Sequence, residues 1–287
     1  MGNMAAKTAL IIQGGGARGT YAAGALKVLV ENGFSFDQVY GTSAGALLGI
    51  DFVAKDPERL EKIINELTSA KGFIKVHNYF TKGSIFDFKY LLEDLPKTKL
   101  PFKHDDFMDS PTEFYAAACS VEDRDTSYFS KKDPNFLLGL ASSASLPPFS
   151  KPVEIEGKGY LDGGVYASVP FEKALKDNIS KIVIIVTREK GYRKSAPGRL
   201  MKRLCRRQYR HQPKFLEDIL NSYKHYNEQM DLMDRLADEG RIFVLYPSIP
   251  PQVKITTQDK KKLDELFRQA CEDTKRQLEG LREYLAQ

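Results

Sequence analysis

The stretch from Val39 to Ala46 constrains the fold most strongly, because it reads as a strand that enters a Gly-x-Ser-x-Gly turn and continues into a helix. In such a turn the serine, here Ser43, occupies a tight bend with its hydroxyl exposed. Glycine on either side removes Cβ atoms where strand and helix approach each other, and it tolerates unusual backbone angles. The first N–H groups of the helix would favour negative charge at the serine. The neighbours predicted to form this elbow are Gly41, Thr42, Ala44 and Gly45. Taken alone, the motif also fits an ordinary strand–helix turn.

The composition is that of an ordinary globular protein. The 287 residues, 42% hydrophobic and 28% charged, suffice for one large domain or one domain with an appendage. The apolar run at residues 9–12 is far shorter than a secretory or membrane-spanning segment. The three cysteines lack the spacing of a metal or redox site, which favours a reducing compartment. We therefore expect a cytoplasmic protein.

A second glycine-rich turn follows the first predicted strand, Thr8 to Gln13. Its sequence is Gly14-Gly15-Gly16-Ala17-Arg18-Gly19, and a predicted helix over residues 20–31 follows. The spacing satisfies the Gly-x-Gly-x-x-Gly fingerprint of dinucleotide-binding folds. However, the strand at residues 38–40 ends in Gly41-Thr42-Ser43 rather than in the acidic residue that would hold a ribose. No Lys-Ser/Thr pair follows the last glycine, so a phosphate-binding loop of the Walker type is also excluded.

The glycine-rich loop is better explained as an oxyanion hole. Two βα turns at the carboxyl edge of one parallel sheet would bring the N–H groups of the loop close to the hydroxyl of Ser43. One such donor contributes roughly 3–4 kcal/mol to lowering the barrier of acyl transfer. The residues predicted for the hole are Gly14, Gly15, Gly16, Ala17, Arg18 and Gly19. The role of Arg18 stays open between steadying the loop, attracting a head-group phosphate and forming a structural salt bridge.

A third motif, Asp162-Gly163-Gly164, follows a predicted hairpin with strands at residues 153–155 and 160–161. An aspartate at a strand end, followed by two glycines, can approach another backbone closely and is a candidate base for the serine. Alone, the tripeptide is a turn signature. The four histidines, none of which lies in a loop of small residues, are His77, His104, His211 and His225. A carboxylate is therefore the better candidate base.

Together, the three motifs resemble the patatin-like phospholipase family, in the same order and over about residues 7–188. The segment Ala141 to Pro147 also resembles the family's usual approach to the aspartate. That family consists of serine lipid acyl hydrolases with a Ser–Asp dyad and no metal or organic cofactor. The resemblance implies a three-layer α/β fold with a mostly parallel central sheet. It also implies that Ser43 is the nucleophile and Asp162 the base, with Gly163 and Gly164 in the base loop. One departure is Asp-Gly-Gly where many members carry Asp-Gly-Ala.

An aromatic segment between the elbow and the third motif is the predicted place of an acyl-chain pocket. Ordinary core packing is the alternative explanation of these side chains. The aromatic residues are Phe73, Tyr79, Phe80, Phe86, Phe88 and Tyr90.

The chain changes character after the predicted catalytic domain, residues 7–188. Residues 189–287 are predicted as a C-terminal accessory region with long helices and one added strand. Residues 188–214 hold eleven Lys and Arg residues against one Glu. This segment predicts a basic amphipathic helix that contacts an anionic membrane surface, and an apolar stripe packed on the protein is the alternative. No fold for binding nucleic acid accompanies the charge. The predicted apolar face comprises Leu200, Met201, Leu204, Cys205 and Tyr209.

The sequence therefore predicts a serine-dependent lipid acyl hydrolase of the phospholipase A or esterase type, cytoplasmic or peripheral to a membrane. It would cleave carboxylic esters through an acyl-serine intermediate. The alternative is a non-catalytic lipid-binding protein that keeps the hydrolase fold. The head group, the acyl chain and the oligomeric state stay open.

Overall fold

The structure is a computed structural model that describes residues 6–70 and 72–287. Within these residues, eight strands form one mixed sheet in the order β5-β6-β3-β2-β1-β7-β8, and β4 pairs with β3. The strands are β1 (Thr8–Ile12), β2 (Gln38–Thr42), β3 (Glu113–Ser120), β4 (Thr126–Ser130), β5 (Val153–Ile155), β6 (Lys158–Asp162), β7 (Lys181–Ile185) and β8 (Ile242–Leu245).

Helices connect these strands and cover both faces of the sheet. They are α1 (Gly19–Glu31), α2 (Ala44–Val53), α3 (Pro57–Ser69), α4 (Val76–Lys82), α5 (Leu95–Lys97), α6 (His104–Asp109), α7 (Phe136–Ser143), α8 (Phe171–Lys176), α9 (Arg199–Gln208), α10 (Pro213–Asp238) and α11 (Lys260–Ala286). Among the described residues, none of these helices is both long and apolar enough to cross a lipid bilayer.

The middle of the sheet is parallel, as predicted. The strands β3, β2, β1, β7 and β8 run in the same direction, whereas β4 and β6 run antiparallel to β3. The central strands are continuous apolar segments because helices cover them on both faces. The sheet is therefore mostly parallel but mixed at the side of β3.

Alternate residues of the central strands enter two separate cores. Leu10 and Ile12 of β1 pack in the layer that contains α1, α2, α3 and α11. Ala9 and Ile11 pack in the layer that contains α8 and α10. This arrangement confirms the predicted three-layer architecture, and β8 and α11 of the C-terminal region belong to the same sheet and the same core.

The pairing of β3 brings the ends of β2 and β6 together. Ala117 pairs with Thr42 at the end of β2, and Ala118 pairs with Asp162 at the end of β6. Since β4 pairs with both alanines along one edge of β3, β2 and β6 must share the other edge. The sheet topology therefore places the residue after Thr42, which is Ser43, beside Asp162.

The last helix follows an irregular segment. It is α11, which begins at Lys260, where the side chain of Asp259 accepts a hydrogen bond from the N–H of Lys262. Residues 252–259, which we call the strap, form the second part of the irregular connection between β8 and α11. The strap contacts the glycine-rich loop, as described below.

Candidate active site

Ser43 lies on a strained bend at the start of α2. Its backbone angles are φ 56° and ψ −129°. A non-glycine residue in such a conformation costs about 1–3 kcal/mol and persists only where the surroundings hold it. The hydroxyl of Ser143 accepts a hydrogen bond from the N–H of Ser43 at 2.9 Å and donates one to the carbonyl of Ala117 at 2.6 Å. Ser143 of α7 therefore ties the bend to β3.

The two glycines of the elbow are required by close packing. A Cβ atom on Gly41 would lie 2.6 Å from the backbone of Ala46, inside the first turn of α2. A Cβ atom on Gly45 would lie 2.3 Å from the carbonyl oxygen of Ile12, at the end of β1. Any side chain at either position would push the helix away from the strands that hold Ser43.

The glycine-rich loop contacts the serine directly. A Cβ atom on Gly14 would lie 2.7 Å from the Cβ of Ser43. Thr187, after β7, anchors the start of the loop, since its hydroxyl donates to the carbonyl of Gly14 at 2.9 Å and its N–H donates to Oε1 of Gln13 at 2.6 Å. The loop is thus held between the ends of β2 and β7.

The first three glycines of the loop present free N–H groups. In residues 6–70 and 72–287, the amides of Gly14, Gly15 and Gly16 have no hydrogen-bond acceptor. Their carbonyls are all occupied, so the loop is polarised toward donation. The donors to these carbonyls are the hydroxyl of Thr187 to Gly14, the N–H of Arg18 to Gly15 and the N–H of Gly19 to Gly16.

The backbone amides in the second half of the loop, from Ala17 to Gly19, all have acceptors. The N–H of Ala17 donates to the carbonyl of Ile255 in the strap at 2.8 Å, and the amides of Arg18 and Gly19 donate within the loop. Gly16 has φ +55°, and a Cβ atom there would lie 2.5 Å from the same carbonyl of Ile255. The N–H groups of Ala17, Arg18 and Gly19 are therefore already occupied, unlike that of Gly16.

Asp162 is 3% exposed at the end of β6. Its Oδ1 accepts a hydrogen bond from the N–H of Gly164 at 2.7 Å. Burial raises the pKa of Asp162 to about 6, while the N–H of Gly164, the hydroxyl of Ser43 and the charge of Lys194 act in the opposite direction. Gly163 lacks room for a side chain, because a Cβ atom would lie 2.4 Å from the carbonyl of Ala117. The structure thus brings together the serine, the aspartate and the glycine-rich loop.

These groups line a pocket with a volume of about 300 Å³. Part of its lining, which we call the apolar wall, comes from α3 and the segment after it. Three of the six predicted aromatic residues contribute to it, whereas Tyr79, Phe80 and Tyr90 do not line the pocket. The members of the apolar wall are Ile63, Ile64, Leu67, Phe73, Ile74, Phe86, Phe88 and Leu91.

A second part of the lining, the polar wall, contains residues that sequence analysis did not assign to the site. Arg188 and Lys194 belong to the basic segment that was expected on a membrane surface, and Tyr226 belongs to α10. One signal was present in the sequence. Arg188 follows the carboxyl end of β7, a parallel neighbour of β1, so it emerges at the edge of the sheet where ligands bind in α/β folds. The polar wall comprises Arg18, Ser43, Asp162, Ser168, Arg188, Tyr192, Lys194 and Tyr226.

Within the described residues, no histidine lines the pocket. His225 is half-exposed on α10 and lies 3.7 Å from a carboxylate oxygen of Glu228. Asp162, by contrast, lines the pocket, and the Ser43 hydroxyl is one of the groups that act on its pKa.

The residues of the predicted apolar face of α9 differ in how far they are buried. Cys205 and Tyr209 are buried against the protein, so part of the face is ordinary packing. Leu200 is 72% exposed and Leu204 is 40% exposed, whereas Met201 is partly buried beside Cys205 and Tyr209. The buried residues fit the alternative of an apolar stripe packed on the protein, and membrane contact stays a prediction for the exposed residues.

Comparison with known families decides the affiliation. The model of the patatin-like phospholipase family matches residues 10–175, more than half of the chain. The chain belongs to the patatin-like phospholipase family. The matched region contains the glycine-rich loop, the elbow and Asp162, and it confirms the resemblance found in the sequence. This affiliation places the chain in a family of lipid acyl hydrolases. A second model, a domain of unknown function named DUF6363, matches residues 212–286.

Two individual proteins are similar to this family member. The uncharacterized protein YjjU of Escherichia coli (strain K12) is 27% identical over 258 residues, which cover 85% of this chain and 69% of that protein. The crystal structure of VipD from Legionella pneumophila aligns with a TM-score of 0.47 and 12% identity, covering 96% of this chain and 67% of that one.

Proposed function

We propose that this protein is a serine-dependent lipid acyl hydrolase that cleaves carboxylic esters, with Ser43 as nucleophile and Asp162 as base. The observation that carries the proposal is the convergence of three parts in one pocket. These are a serine on a strained bend, a buried carboxyl that faces it and a loop of unoccupied N–H groups. The apolar wall supports a lipid acyl chain as the part of the substrate that is bound beside them.

In the first half of the reaction, Asp162 accepts the proton of the Ser43 hydroxyl while Oγ attacks the carbonyl carbon of the ester. The resulting oxyanion accepts hydrogen bonds from N–H groups that have no other acceptor in the described residues. We restrict the proposed donors to Gly14, Gly15 and Gly16 of the loop, with Ala44 at the start of α2. The tetrahedral intermediate collapses to an acyl-serine, and the leaving alcohol takes the proton from Asp162.

In the second half, Asp162 accepts a proton from water, which attacks the acyl-serine. Collapse of the second intermediate breaks the bond to Oγ, releases the fatty acid and returns the proton to Ser43. A carboxylate with an ordinary pKa is a weak base toward a hydroxyl. The burial that raises the pKa of Asp162 to about 6 brings the base closer to neutral pH, where proton transfer is most effective.

The direct test is ester turnover together with active-site labelling. We expect the protein to hydrolyse p-nitrophenyl esters and to react with a fluorophosphonate probe, and we expect Ser43→Ala to lose both properties. Ser180→Ala is the matched control, because Ser180 is an exposed serine outside the pocket. If the wild type and Ser43→Ala are equally inert to ester and probe, the protein is a non-catalytic lipid-binding member of its family.

We also propose that α9 contacts an anionic membrane surface in the cytoplasm. Leu200 and Leu204 are exposed on a helix that carries five Lys and Arg residues, a combination that favours the interface of an anionic bilayer. Sedimentation with vesicles of increasing anionic lipid fraction tests this proposal. Binding that is indifferent to anionic lipid and to salt would contradict it.

A further inference from the structure

Three cationic side chains of the polar wall lack an acidic partner. In the described residues, Arg18, Arg188 and Lys194 form no ion pair within 4.0 Å. Arg193, one position before Lys194, forms ion pairs with Asp231 and Asp234. The cations that line the pocket are therefore unpaired, whereas an adjacent cation outside the pocket is paired.

The two arginines also have buried donors without an acceptor. The Nε atoms of Arg18 and Arg188 are buried and have no hydrogen-bond partner among the described residues. Buried polar groups in folded proteins are nearly always paired, and an exception calls for an explanation such as a catalytic role or a bound ion. The guanidinium of Arg188 lies 4.3 Å from the centroid of the Tyr192 ring, which orients it by a cation–π contact. Burial and the charge of Arg188 lower the pKa of Arg18 to about 10, as expected for cations without a counter-ion.

Lys194 is held in place through both its backbone and its side chain. Its backbone N–H donates to Oδ1 of Asn227 at 2.8 Å, and its carbonyl accepts from Nδ2 of the same residue at 3.1 Å. Its Nζ donates to the hydroxyl of Ser168 at 3.1 Å and lies 4.0 Å from the centroid of the Tyr226 ring. Burial and the charge of Arg18 lower the pKa of Lys194 to about 8.

The position of Lys194 links the cations to the base loop. The hydroxyl of Ser168 that accepts from Lys194 donates in turn to the carbonyl of Gly164 at 3.0 Å. The N–H of Gly164 donates to Asp162. A group bound at Lys194 would therefore be close to an ester that is bound at Ser43.

Two carboxylates affect these cations without pairing with them. Asp162 raises the pKa of Lys194, and Glu189 raises the pKa of Arg18. Each effect is smaller than the opposite effects of burial and of the neighbouring cation. One carboxylate oxygen of Glu189 is itself buried and unpaired. Two carboxylates against three cations leave the polar wall with an excess of positive charge.

We propose that Arg188 and Lys194, together with Arg18, form a subsite for an anionic group of the substrate, a phosphate or a carboxylate that is attached close to the scissile ester. This inference rests on the proposed function and assigns Arg188 and Lys194 as residues that determine how strongly the site prefers an ester with an anionic group beside it. A guanidinium presents parallel N–H donors to phosphate or carboxylate oxygens, and an ammonium adds a compact point charge.

The subsite depends on residues beyond the matched family region. Arg18 lies within residues 10–175, but Arg188 and Lys194 follow that region in the chain. The proposed subsite therefore combines one residue of the matched region with two residues that follow it.

The test compares two substrates that differ only in the anionic group. Turnover of dioctanoyl phosphatidic acid and of dioctanoylglycerol is measured in mixed micelles with a neutral detergent at equal surface fraction. We expect the wild type to prefer the phosphate-bearing lipid in kcat/KM. We expect Arg188→Gln or Lys194→Gln to lower that preference about tenfold, the effect of losing one charge-assisted hydrogen bond. Arg188→Lys, which keeps a charge, should retain more of the preference than Arg188→Gln.

The matched control is Lys190→Gln. Lys190 is exposed, pairs with the exposed Asp238 and does not line the pocket, so its loss should leave the preference unchanged. A wild type that treats both lipids alike would overturn the proposal. So would variants that lose activity on both lipids to the same extent.

A second arm asks whether the anion must be part of the lipid. Inorganic phosphate is tested as a competitive inhibitor of p-nitrophenyl butyrate hydrolysis. Inhibition that weakens in Arg188→Gln would show that free phosphate occupies the subsite. A lipid preference without inhibition by phosphate would show that the subsite accepts only an anion carried by the lipid. Both results support an anion site, and the absence of both effects contradicts it.

A binding experiment separates this inference from the proposed function. Ser43→Ala protein, which should bind without turnover, is titrated calorimetrically with dihexanoyl phosphatidic acid and with dihexanoylglycerol. Binding that depends on Arg188 in a protein without esterase activity would retain the subsite and reject the hydrolase. Serine-dependent turnover without any preference for the anionic lipid would retain the hydrolase and reject the subsite.

Discussion

The apolar wall and the polar wall of the pocket are built in different ways. The apolar wall comes from one continuous part of the chain, α3 and the residues up to Leu91. The polar wall is assembled from segments far apart in sequence, including the loop at Arg18, the elbow at Ser43, the base loop and Lys194. The apolar wall presents an uncharged surface, and the polar wall presents hydrogen-bond donors and charges at fixed positions. We therefore expect changes in the polar wall to alter turnover, and changes in the apolar wall to alter which acyl chains bind.

The largest expected effect is that of Asp162→Asn, which removes the base from the polar wall. Loss of general-base catalysis should lower kcat by about 10²–10⁴-fold on p-nitrophenyl butyrate. The same change should raise the melting temperature at pH 7.5, because the ionised carboxylate is buried and its pKa lies above the ordinary value of 3.8.

The pH dependence of this stability difference follows from the sign of the pKa shift. The cost of burying the ionised carboxylate is full above the folded pKa of about 6 and disappears below the unfolded value near 3.8. Calorimetry should therefore find a larger difference in melting temperature between Asp162→Asn and wild type at pH 7.5 than at pH 4. A variant that is inactive but less stable at pH 7.5 would indicate a structural role for Asp162 instead.

The next effect is the pH profile of the wild type. The base must be ionised, so kcat/KM should fall about tenfold per pH unit below the pKa of Asp162 near 6. On an anionic lipid, a second decline should begin near pH 8, where Lys194 loses its proton and its charge. A neutral soluble ester measured over the same pH range should show the decline at low pH without the decline near pH 8. A profile that is flat from pH 5 to 7 would exclude Asp162 as the titrating base.

A smaller effect should come from the apolar wall. Leu67→Trp adds bulk to a pocket of about 300 Å³ and should shorten the acyl chain that fits. We expect kcat/KM to fall about tenfold for p-nitrophenyl laurate, with a much smaller change for the acetate, since each buried methylene contributes about 0.8 kcal/mol. Leu137→Trp is the control, because Leu137 is exposed on α7 outside the pocket. An equal loss for both chain lengths would mean that Leu67 does not contact the acyl chain.

The smallest effect belongs to α9, which lies outside both walls. Leu200→Ser should reduce hydrolysis of anionic vesicles a few-fold, because it removes an exposed apolar contact with the bilayer. Hydrolysis of a soluble ester should not change, since Leu200 does not line the pocket. Equal rates for wild type and Leu200→Ser on vesicles would argue against membrane contact through this face.

The two walls also differ in how far the sequence predicts them. The elbow around Ser43, the loop at Gly14 and the strand end at Asp162 each have a local signature, because close packing or an unusual backbone angle requires glycine beside them. Phe73 could be assigned to a pocket from its aromatic neighbourhood. The three motifs depend on residues that are neighbours in the chain, so they can be recognised in a single sequence.

The rest of the polar wall depends on tertiary structure. Arg188 and Lys194 belong to the same basic segment as α9. They nevertheless line the pocket, because β7 lies next to β1 and the chain after β7 therefore begins at the carboxyl edge of the sheet. Tyr226 reads as one more apolar position on a helix, and Ile255 reads as part of a loop. Charge and hydropathy are equal for inward and outward residues of such a segment, so only the strand order could assign them.

The hydrogen bond from Ala17 to Ile255 bears on how the chain can be shortened. A fragment that stops at residue 211 would keep all three motifs and the whole matched patatin region. It would lose β8, the helix α11 that packs against α1 in the core, and the acceptor that holds the glycine-rich loop. The two regions that match family models are thus not modules that can be exchanged independently. Recombination or protein engineering that joins this catalytic region to a different tail would have to supply a new carbonyl at the same place.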